Sequence, residues 1–175
     1  MKTTLYLLRH GQYETHDHIV PYRLPGFHLS QKGIADVTGV GASLAAHPFS
    51  AVYTSPLERT HETASILAKQ FHLVPVADDR LLETRSPAQG EKEGFVEARG
   101  GWKFYDTDWY AKNGGETREE VAARMRDVLL EKVRHHAGSE LLAISHGDPI
   151  MLIVARFGGV SLTSEALESQ PYVPM

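Results

Sequence analysis

The sequence predicts an α/β fold, a three-layer α/β/α sandwich with a mainly parallel sheet, formed by residues 1–175 as one domain. Short apolar runs alternate with longer segments whose apolar residues recur at helical spacing, a pattern typical of parallel strands joined by helices. The apolar run 140–145 is continuous, as expected of a strand buried on both faces. An irregular stretch at about 78–115 breaks the alternation and is interpreted as an inserted, lid-like excursion.

The first strand–helix unit occupies the N-terminal quarter of the chain. The apolar run Thr4-Leu5-Tyr6-Leu7-Leu8 indicates a buried strand at 3–9. Residues 11–29 are rich in His, Tyr, Pro and Gly, have no clean period and are interpreted as a functional loop. Ser30 is the expected N-cap of the next helix. Apolar residues then follow at helical spacing: Ile34, Val37, Val40, Leu44 and Ala45.

The second unit begins with a short strand at 50–54. Pro56 suits the first turn of the helix that follows, because its missing N–H is not needed there. A buried stripe continues along that helix. The segment 73–76 is predicted as a weak strand at a sheet edge or a strand end, since Pro75 cannot donate to a ladder.

The second half of the chain contains the strongest helix and a central strand. Apolar spacing predicts a helix from Glu116 to about His136, and Thr117-x-x-Glu120 resembles a capping box at its start. The strand 140–145 follows, and then a helix from Pro149 to Phe157. The tail from 161 onward is polar and contains proline.

The composition excludes several functional classes. A net charge of −4 gives no overall basic surface for nucleic acid, and the absence of cysteine removes disulfides, thiolate metal sites and cysteine nucleophiles. No apolar segment approaches the roughly 20 residues of a membrane span, and no secretory signal is evident. We therefore expect a cytoplasmic protein without a membrane partner; the composition leaves its oligomeric state open.

Titratable side chains stand at the predicted strand ends. Arg9-His10-Gly11 follows the first strand, Ser145-His146-Gly147 follows the last, and Arg59 comes just after the second. Because the carboxyl ends of parallel strands meet at one edge of a sheet, these side chains are expected to converge. Guanidinium groups bind phosphoryl oxygens, a neutral imidazole can attack phosphorus, and a carboxylic acid such as Glu83 can protonate the leaving oxygen. The set suits phosphoryl transfer through a covalent histidine.

The order and spacing of these motifs resemble the histidine phosphatase superfamily, whose fold is phosphoglycerate-mutase-like. The likeness extends from Leu7 to about Phe157. It rests on the motifs Arg9-His10-Gly11, Leu29-Ser30-x-x-Gly33, Ser55-Pro56-Leu57-x-Arg59-Thr60-x-x-Thr63-Ala64, Gly115-Glu116-Thr117 and Ser145-His146-Gly147. The resemblance implies chemistry on a phosphoryl group.

The resemblance also implies a role for each motif residue. His10 would be the nucleophile that becomes phosphorylated. Arg9, Arg59 and His146 would complete the phosphate pocket. Glu83 resembles the proton donor that family members place after the third strand. Three further acids on the same excursion are fallback donors: Glu91, Glu93 and Glu97.

The loop after the first strand departs from the mutase pattern. Gln12 is familiar in the family, but Tyr13 stands where a small hydroxyl residue is usual and His16 where a phosphate-contacting asparagine is often found. This departure and the short chain favour hydrolysis over a mutase reaction. Gln12, Tyr13, His16 and Arg85 are candidate substrate-pocket residues.

We therefore predict a phosphomonoester hydrolase that forms a phosphohistidine on His10, with Glu83 as general acid and base and no metal or other cofactor. The carbonyl of Gly11 is the expected acceptor that orients His10. His16-Asp17-His18 lacks further ligands at metal-site spacing and is interpreted as an exposed loop. A small phosphorylated metabolite is the expected substrate, with a phosphoprotein as an alternative. Two other functions stay open: a cofactor-dependent phosphoglycerate mutase and a catalytically silent phosphate-binding or protein-interaction module.

Overall fold

Four parallel strands form the central sheet in the computed structural model, which describes residues 2–15 and 18–174. The sheet order is β1-β4-β2-β3, so the last strand lies between the first two. The strands are β1 (Thr4–Arg9), β2 (Phe49–Thr54), β3 (Val76–Ala77) and β4 (Glu140–Ser145). Arg9 pairs with Ser145 and Thr54 with Ile144, so three strands end at the same edge.

Helices cover both faces of the sheet, as predicted. They are α1 (Gln31–Leu44), α2 (Glu58–Gln70), α3 (Asp108–Lys112), α4 (Arg118–His135), α5 (Gly147–Phe157) and α6 (Ser164–Glu168). Side chains alternate across β1: Leu5 and Leu7 pack on the face covered by α4 and α5, whereas Tyr6 and Leu8 pack on the face covered by α1 and α2. The three-layer α/β/α sandwich is therefore confirmed.

Several predicted boundaries are corrected by the structure. Pro56 precedes the helix rather than lying in its first turn, because α2 starts at Glu58 after the N-cap Leu57. The weak strand expected at 73–76 is reduced to Val76–Ala77, since Pro75 has no N–H to donate. The helix expected from Pro149 starts at Gly147, directly after β4.

The C-terminal tail is more structured than its polar composition predicts. Thr163 caps the short helix α6 by accepting from the Ala166 backbone N–H. Leu162 and Leu167 are buried in the core cluster formed with α4 and α5. This anchoring brings the last described residues to the edge of the sheet where β1 ends.

Two irregular segments cover that edge. The predicted excursion is built from 3₁₀ turns and the short helix α3, around the buried rings of Phe104 and Tyr110. It is joined to the loop after β1 by an antiparallel bridge between Ile19 and Lys92 and by the bond from the Val20 N–H to the Glu91 carbonyl. The two segments therefore form one cover over the strand ends.

Candidate active site

The imidazoles of His10 and His146 meet at the carboxyl edge of the sheet. Each follows the end of a strand, and these two strands pair in register. Both side chains are buried, and their ring centroids are 5.2 Å apart in an edge-on arrangement. Residues 136 positions apart in the chain therefore share one site because parallel strands end together.

His10 is held with one ring nitrogen free. Its Nδ1 lies 2.8 Å from the Gly11 carbonyl oxygen. A carbonyl only accepts, so Nδ1 carries the hydrogen and Nε2 keeps its lone pair. Burial, aided by the Arg59 and Arg9 charges, lowers the pKa of His10 to about 3. The imidazole is therefore neutral at physiological pH, as a nucleophile at phosphorus must be.

Arg59 links the second strand–helix unit to both histidines. It lies in the first turn of α2 and is 1% exposed. Its Nη2 donates to the Tyr22 carbonyl at 2.6 Å and to His146 Nδ1 at 3.2 Å. Tyr22 has a positive φ of 40°, a conformation that is rare for a non-glycine residue and that marks functional sites. Tyr13 places its ring 5.4 Å from the Arg59 guanidinium carbon.

Three buried nitrogens of the two arginines lack partners among the described residues. Arg59 Nε, Arg59 Nη1 and Arg9 Nε are buried and make no hydrogen bond there. Arg9 is oriented by its Nη1 bond of 2.9 Å to the Val173 carbonyl and by the Tyr172 ring 5.3 Å away. Buried guanidinium N–H groups are normally satisfied, and planar donors of this kind match phosphoryl oxygens. These buried donors are therefore suited to binding an anion.

Glu83 supplies a buried carboxyl group beside the histidines. Its side chain is 13% exposed, its Oε2 lies 3.9 Å from His146 Nδ1, and its Oε1 accepts from the Thr84 N–H at 2.8 Å. Burial, and then the charge of Asp148, raises the pKa of Glu83 to about 8 against the pull of Arg59 and Arg9. Burial lowers the pKa of His146 well below its ordinary value. Their contact therefore joins a protonated carboxyl to a neutral imidazole and is not an ion pair.

The backbone around Glu83 is fixed from behind by charged side chains. Arg23 Nε donates to the Glu83 carbonyl at 2.5 Å, and Arg124 Nη2 donates to it at 3.3 Å. The buried carboxylate of Glu116 binds both arginines; burial raises the pKa of Glu116, but the bonds from Arg124 and the Arg85 N–H and the arginine charges outweigh burial and lower it. The Gly115-Glu116-Thr117 motif thus contributes to the placement of Glu83.

A cavity of about 480 Å³ opens over these groups. Its floor comprises Arg9, His10, Arg59 and Glu83. The outer wall is a single stretch, which we call the covering segment, of residues 93–105; its lining members are Glu93, Gly94, Val96, Glu97, Gly101, Trp102 and Tyr105. The sides are completed by Tyr13, Val20, Pro21, Tyr22, Asp148 and Tyr172.

Not every predicted pocket residue reaches the cavity. Tyr13 lines it, and so do Glu93 and Glu97 among the fallback acids. Gln12 is exposed and outside the lining, and Arg85 is turned away to donate to the Gly114 carbonyl at 2.9 Å. Glu91 also lies outside the lining. His16 falls outside the described residues.

Sequence reasoning missed Asp148 and Tyr172. Asp148 stands at the start of α5, and its two oxygens accept from the hydroxyls of Tyr105 and Tyr172, each at 2.6 Å. The sequence did contain a signal for Asp148, because Asp148 comes two residues after His146 and so belongs to the same strand end. Tyr172 gave no comparable signal in a tail without helical spacing.

In the part of the chain that the structure describes, no group of three or more His, Asp or Glu side chains is arranged to hold a metal ion. Within the same residues, no helix has the length and apolar character needed to span a bilayer.

A neutral, oriented imidazole, two converging guanidinium groups and a protonated carboxyl at a parallel-sheet edge are the kinds of group that phosphoryl transfer uses. The family comparison agrees with this chemistry. The model of the histidine phosphatase superfamily (branch 1) matches residues 5–169, and the chain belongs to this family.

Characterised relatives include both phosphatases and mutases. The chain is 31% identical over 176 residues to glucosyl-3-phosphoglycerate phosphatase of Mycobacterium tuberculosis, covering 95% of this chain and 76% of the relative. It is 26% identical to 2,3-bisphosphoglycerate-dependent phosphoglycerate mutase of Methylobacterium radiotolerans, covering 92% and 82%. The solved structure of Bacillus stearothermophilus YhfR superimposes with a TM-score of 0.81 at 30% identity, covering 98% of this chain and 86% of that one. The fold is therefore phosphoglycerate-mutase-like.

Proposed function

We propose that this protein hydrolyses phosphomonoesters through a phosphohistidine intermediate on His10. The observation that carries the proposal is the pairing of unpartnered buried N–H groups on Arg9 and Arg59 with a neutral, oriented imidazole. A phosphoryl group between them would receive hydrogen bonds on its oxygens and face the His10 Nε2 lone pair.

In the first step, His10 Nε2 attacks phosphorus, an N–P bond forms and the ester P–O bond breaks. The Gly11 carbonyl accepts from Nδ1–H and stabilises the positive charge that develops on the ring. Arg9 and Arg59 offset the charge on the phosphoryl oxygens. Glu83, which holds a proton at neutral pH because of its raised pKa, gives that proton to the departing alkoxide.

In the second step, the Glu83 carboxylate takes a proton from water as the water oxygen attacks phosphorus. The N–P bond breaks, inorganic phosphate forms and His10 returns to its neutral state. Glu83 recovers its proton and is ready for another cycle. In both steps, side chains of this protein offset the developing charges and transfer the protons, so the proposed mechanism needs no metal or other cofactor.

The test compares wild-type protein with the His10→Ala variant. We expect the wild type to release phosphate from p-nitrophenyl phosphate and from alkyl phosphates, and protein quenched in alkaline denaturant to carry a base-stable, acid-labile phosphate on His10. The variant is expected to lose turnover while still binding vanadate, because Arg9 and Arg59 remain. Full activity in His10→Ala would end the proposal.

The same preparation separates the alternatives. Exchange between 2- and 3-phosphoglycerate that depends on the bisphosphorylated acid would identify a mutase. Vanadate binding without turnover of any ester would identify a silent phosphate-binding module. We propose a small phosphorylated metabolite as substrate, because the reacting groups lie under the covering segment rather than on an open face. A cytoplasmic location remains a prediction from composition.

A further inference from the structure

The charge of the cavity changes sign from its floor to its outer wall. Among the described lining residues, the permanent positive charges are those of Arg9 and Arg59, and both belong to the floor. The covering segment contributes two carboxylates to the lining, from Glu93 and Glu97. The part of a substrate that extends beyond its phosphate therefore meets negative charge.

Neighbouring cations do not cancel this charge inside the cavity. Arg99 lies with its guanidinium carbon 3.5 Å from the centre of the Phe95 ring and donates to the Phe95 carbonyl at 3.2 Å, outside the lining. Glu93 is 3.6 Å from His18, but both side chains are exposed, at 52% and 83%. Contacts this exposed are weakened by water and salt.

The carboxylate of Asp148, on the side of the cavity, is already satisfied. Both oxygens of Asp148 accept from tyrosine hydroxyls, so Asp148 offers little to a ligand but keeps its charge near the cavity. Beside it, Trp102 and Tyr105 stack with ring centroids 5.2 Å apart and planes inclined by 35°. The wall thus combines an aromatic face with carboxylates that can accept hydrogen bonds.

We infer that the leaving group of the substrate is an alcohol without a second negative charge, bearing hydroxyl or ammonium donors for Glu93 and Glu97 and an apolar face for Trp102. This inference rests on the proposed function, because it concerns the same cavity. A carboxylate or second phosphate on the leaving group would approach like charges, and the described lining residues of the covering segment include no cation. Acidic phosphorylated compounds such as phosphoglycerates are therefore poor ligands.

Two matched probes test the inference: glycerol 3-phosphate and 3-phosphoglycerate, which differ in a CH₂OH group against a carboxylate. Their Kd values are measured by calorimetry with the His10→Ala protein, so that the result does not depend on turnover. We expect glycerol 3-phosphate to bind at least about tenfold more tightly, a ratio that corresponds to about 1.4 kcal/mol. Equal Kd values, tighter binding of 3-phosphoglycerate, or no measurable binding of the glycerol ester overturns the inference.

Further variants test whether Glu93 and Glu97 cause the preference for glycerol 3-phosphate over 3-phosphoglycerate. Added to the His10→Ala background, Glu93→Gln with Glu97→Gln is expected to tighten 3-phosphoglycerate binding and narrow the ratio to about threefold or less. Glu91→Gln removes the same charge from the same excursion outside the lining and should leave the ratio unchanged. An unchanged ratio in the double variant, or the same narrowing with Glu91→Gln, contradicts the assignment. Wild-type turnover is scored separately, so failure of the hydrolase proposal stays distinguishable.

Discussion

The guanidinium of Arg124 forms a two-bond ion pair with the carboxylate of Glu116, at 2.7 Å from Nε and 3.1 Å from Nη2. The third nitrogen, Nη1, donates to the carbonyls of Arg80 at 2.8 Å and Leu82 at 2.7 Å. Helix α4 therefore holds the backbone on which Glu83 stands. Lysine could keep the charge of Arg124 but not this planar set of donors.

Arg124→Lys is expected to impair proton donation by Glu83. We predict a loss of about tenfold in kcat with alkyl phosphates and a smaller loss with p-nitrophenyl phosphate, whose leaving group needs little protonation. Arg126→Lys is the control, because Arg126 lies on the same helix with an exposed side chain paired to Asp127. Combining Arg124→Lys with Glu83→Gln should cost no more than Glu83→Gln alone. Additive losses would show that Arg124 acts elsewhere.

Glu83→Gln should remove the acid while keeping the size of the side chain. We predict a loss of about 100-fold or more in kcat/KM for alkyl phosphates and a far smaller loss for p-nitrophenyl phosphate. Because donation requires the proton, wild-type kcat/KM with alkyl phosphates should fall as the pH rises above about 8, the pKa of Glu83. This decrease in kcat/KM at alkaline pH should be absent in Glu83→Gln. Equal losses for both kinds of ester would assign the acid to another residue.

The raised pKa of Glu83 also predicts a pH dependence of folding stability. Between 4.5 and about 8 the folded protein holds a proton that the unfolded chain releases, so the free energy of unfolding declines as pH rises through this window. Glu83→Gln has no carboxyl group at this position, so its free energy of unfolding lacks this pH dependence. Relative to the wild type, the variant should therefore gain on the order of 4 kcal/mol between pH 5 and pH 9 in urea unfolding. A constant difference between the two proteins across that range would contradict the pKa shift.

Arg59→Lys tests the phosphate pocket. Lysine can replace the charge but not the planar set of donors, which includes the unpartnered Nε and Nη1. We predict a loss on the order of 100-fold in kcat/KM for every phosphomonoester, whatever its leaving group, with weaker vanadate binding. Arg156→Lys, an exposed change at the end of α5, serves as the control. A loss confined to poor leaving groups would place Arg59 in proton transfer instead.

Chelation is expected to leave turnover unchanged. In the proposed mechanism, Arg9 and Arg59 provide the positive charge that a metal ion supplies in other phosphatases. Phosphate release is measured after extensive dialysis against EDTA, with and without added Mg²⁺ or Zn²⁺. Loss of activity on dialysis and its recovery with one of these ions would require a different mechanism.

The convergence of His10, Arg59 and His146 could be predicted because it depends on backbone topology. Parallel strands end at one edge whatever their separation along the chain, and each strand end was visible as an apolar run followed by a polar motif. The orientation of His10 by Gly11 was also predicted, and the structure confirms it. These features follow from local sequence and simple stereochemistry.

The walls of the site could not be predicted in the same way. Hydrogen bonds between side chains and distant backbone carbonyls involve Arg124, Arg23 and Tyr22. Such bonds produce no periodic pattern in a sequence. Arg85, predicted as a substrate-pocket residue, lies outside the cavity lining and donates to the Gly114 carbonyl, a contact that could not be foreseen from the sequence. Helix α6 was missed because two buried leucines in a short segment do not establish a period.

The division of the cavity between a sheet-end floor and the covering segment has an engineering consequence. The reactive groups are fixed by strand ends and by α2, whereas the surface that a leaving group meets is encoded mainly in one contiguous stretch, residues 93–105. Libraries that randomise only residues 93–105 would vary which alcohol the cavity accepts. His10, Arg9 and Arg59 would stay unchanged. Natural proteins of this fold can change their leaving-group preference in the same way, by substitutions in this short stretch.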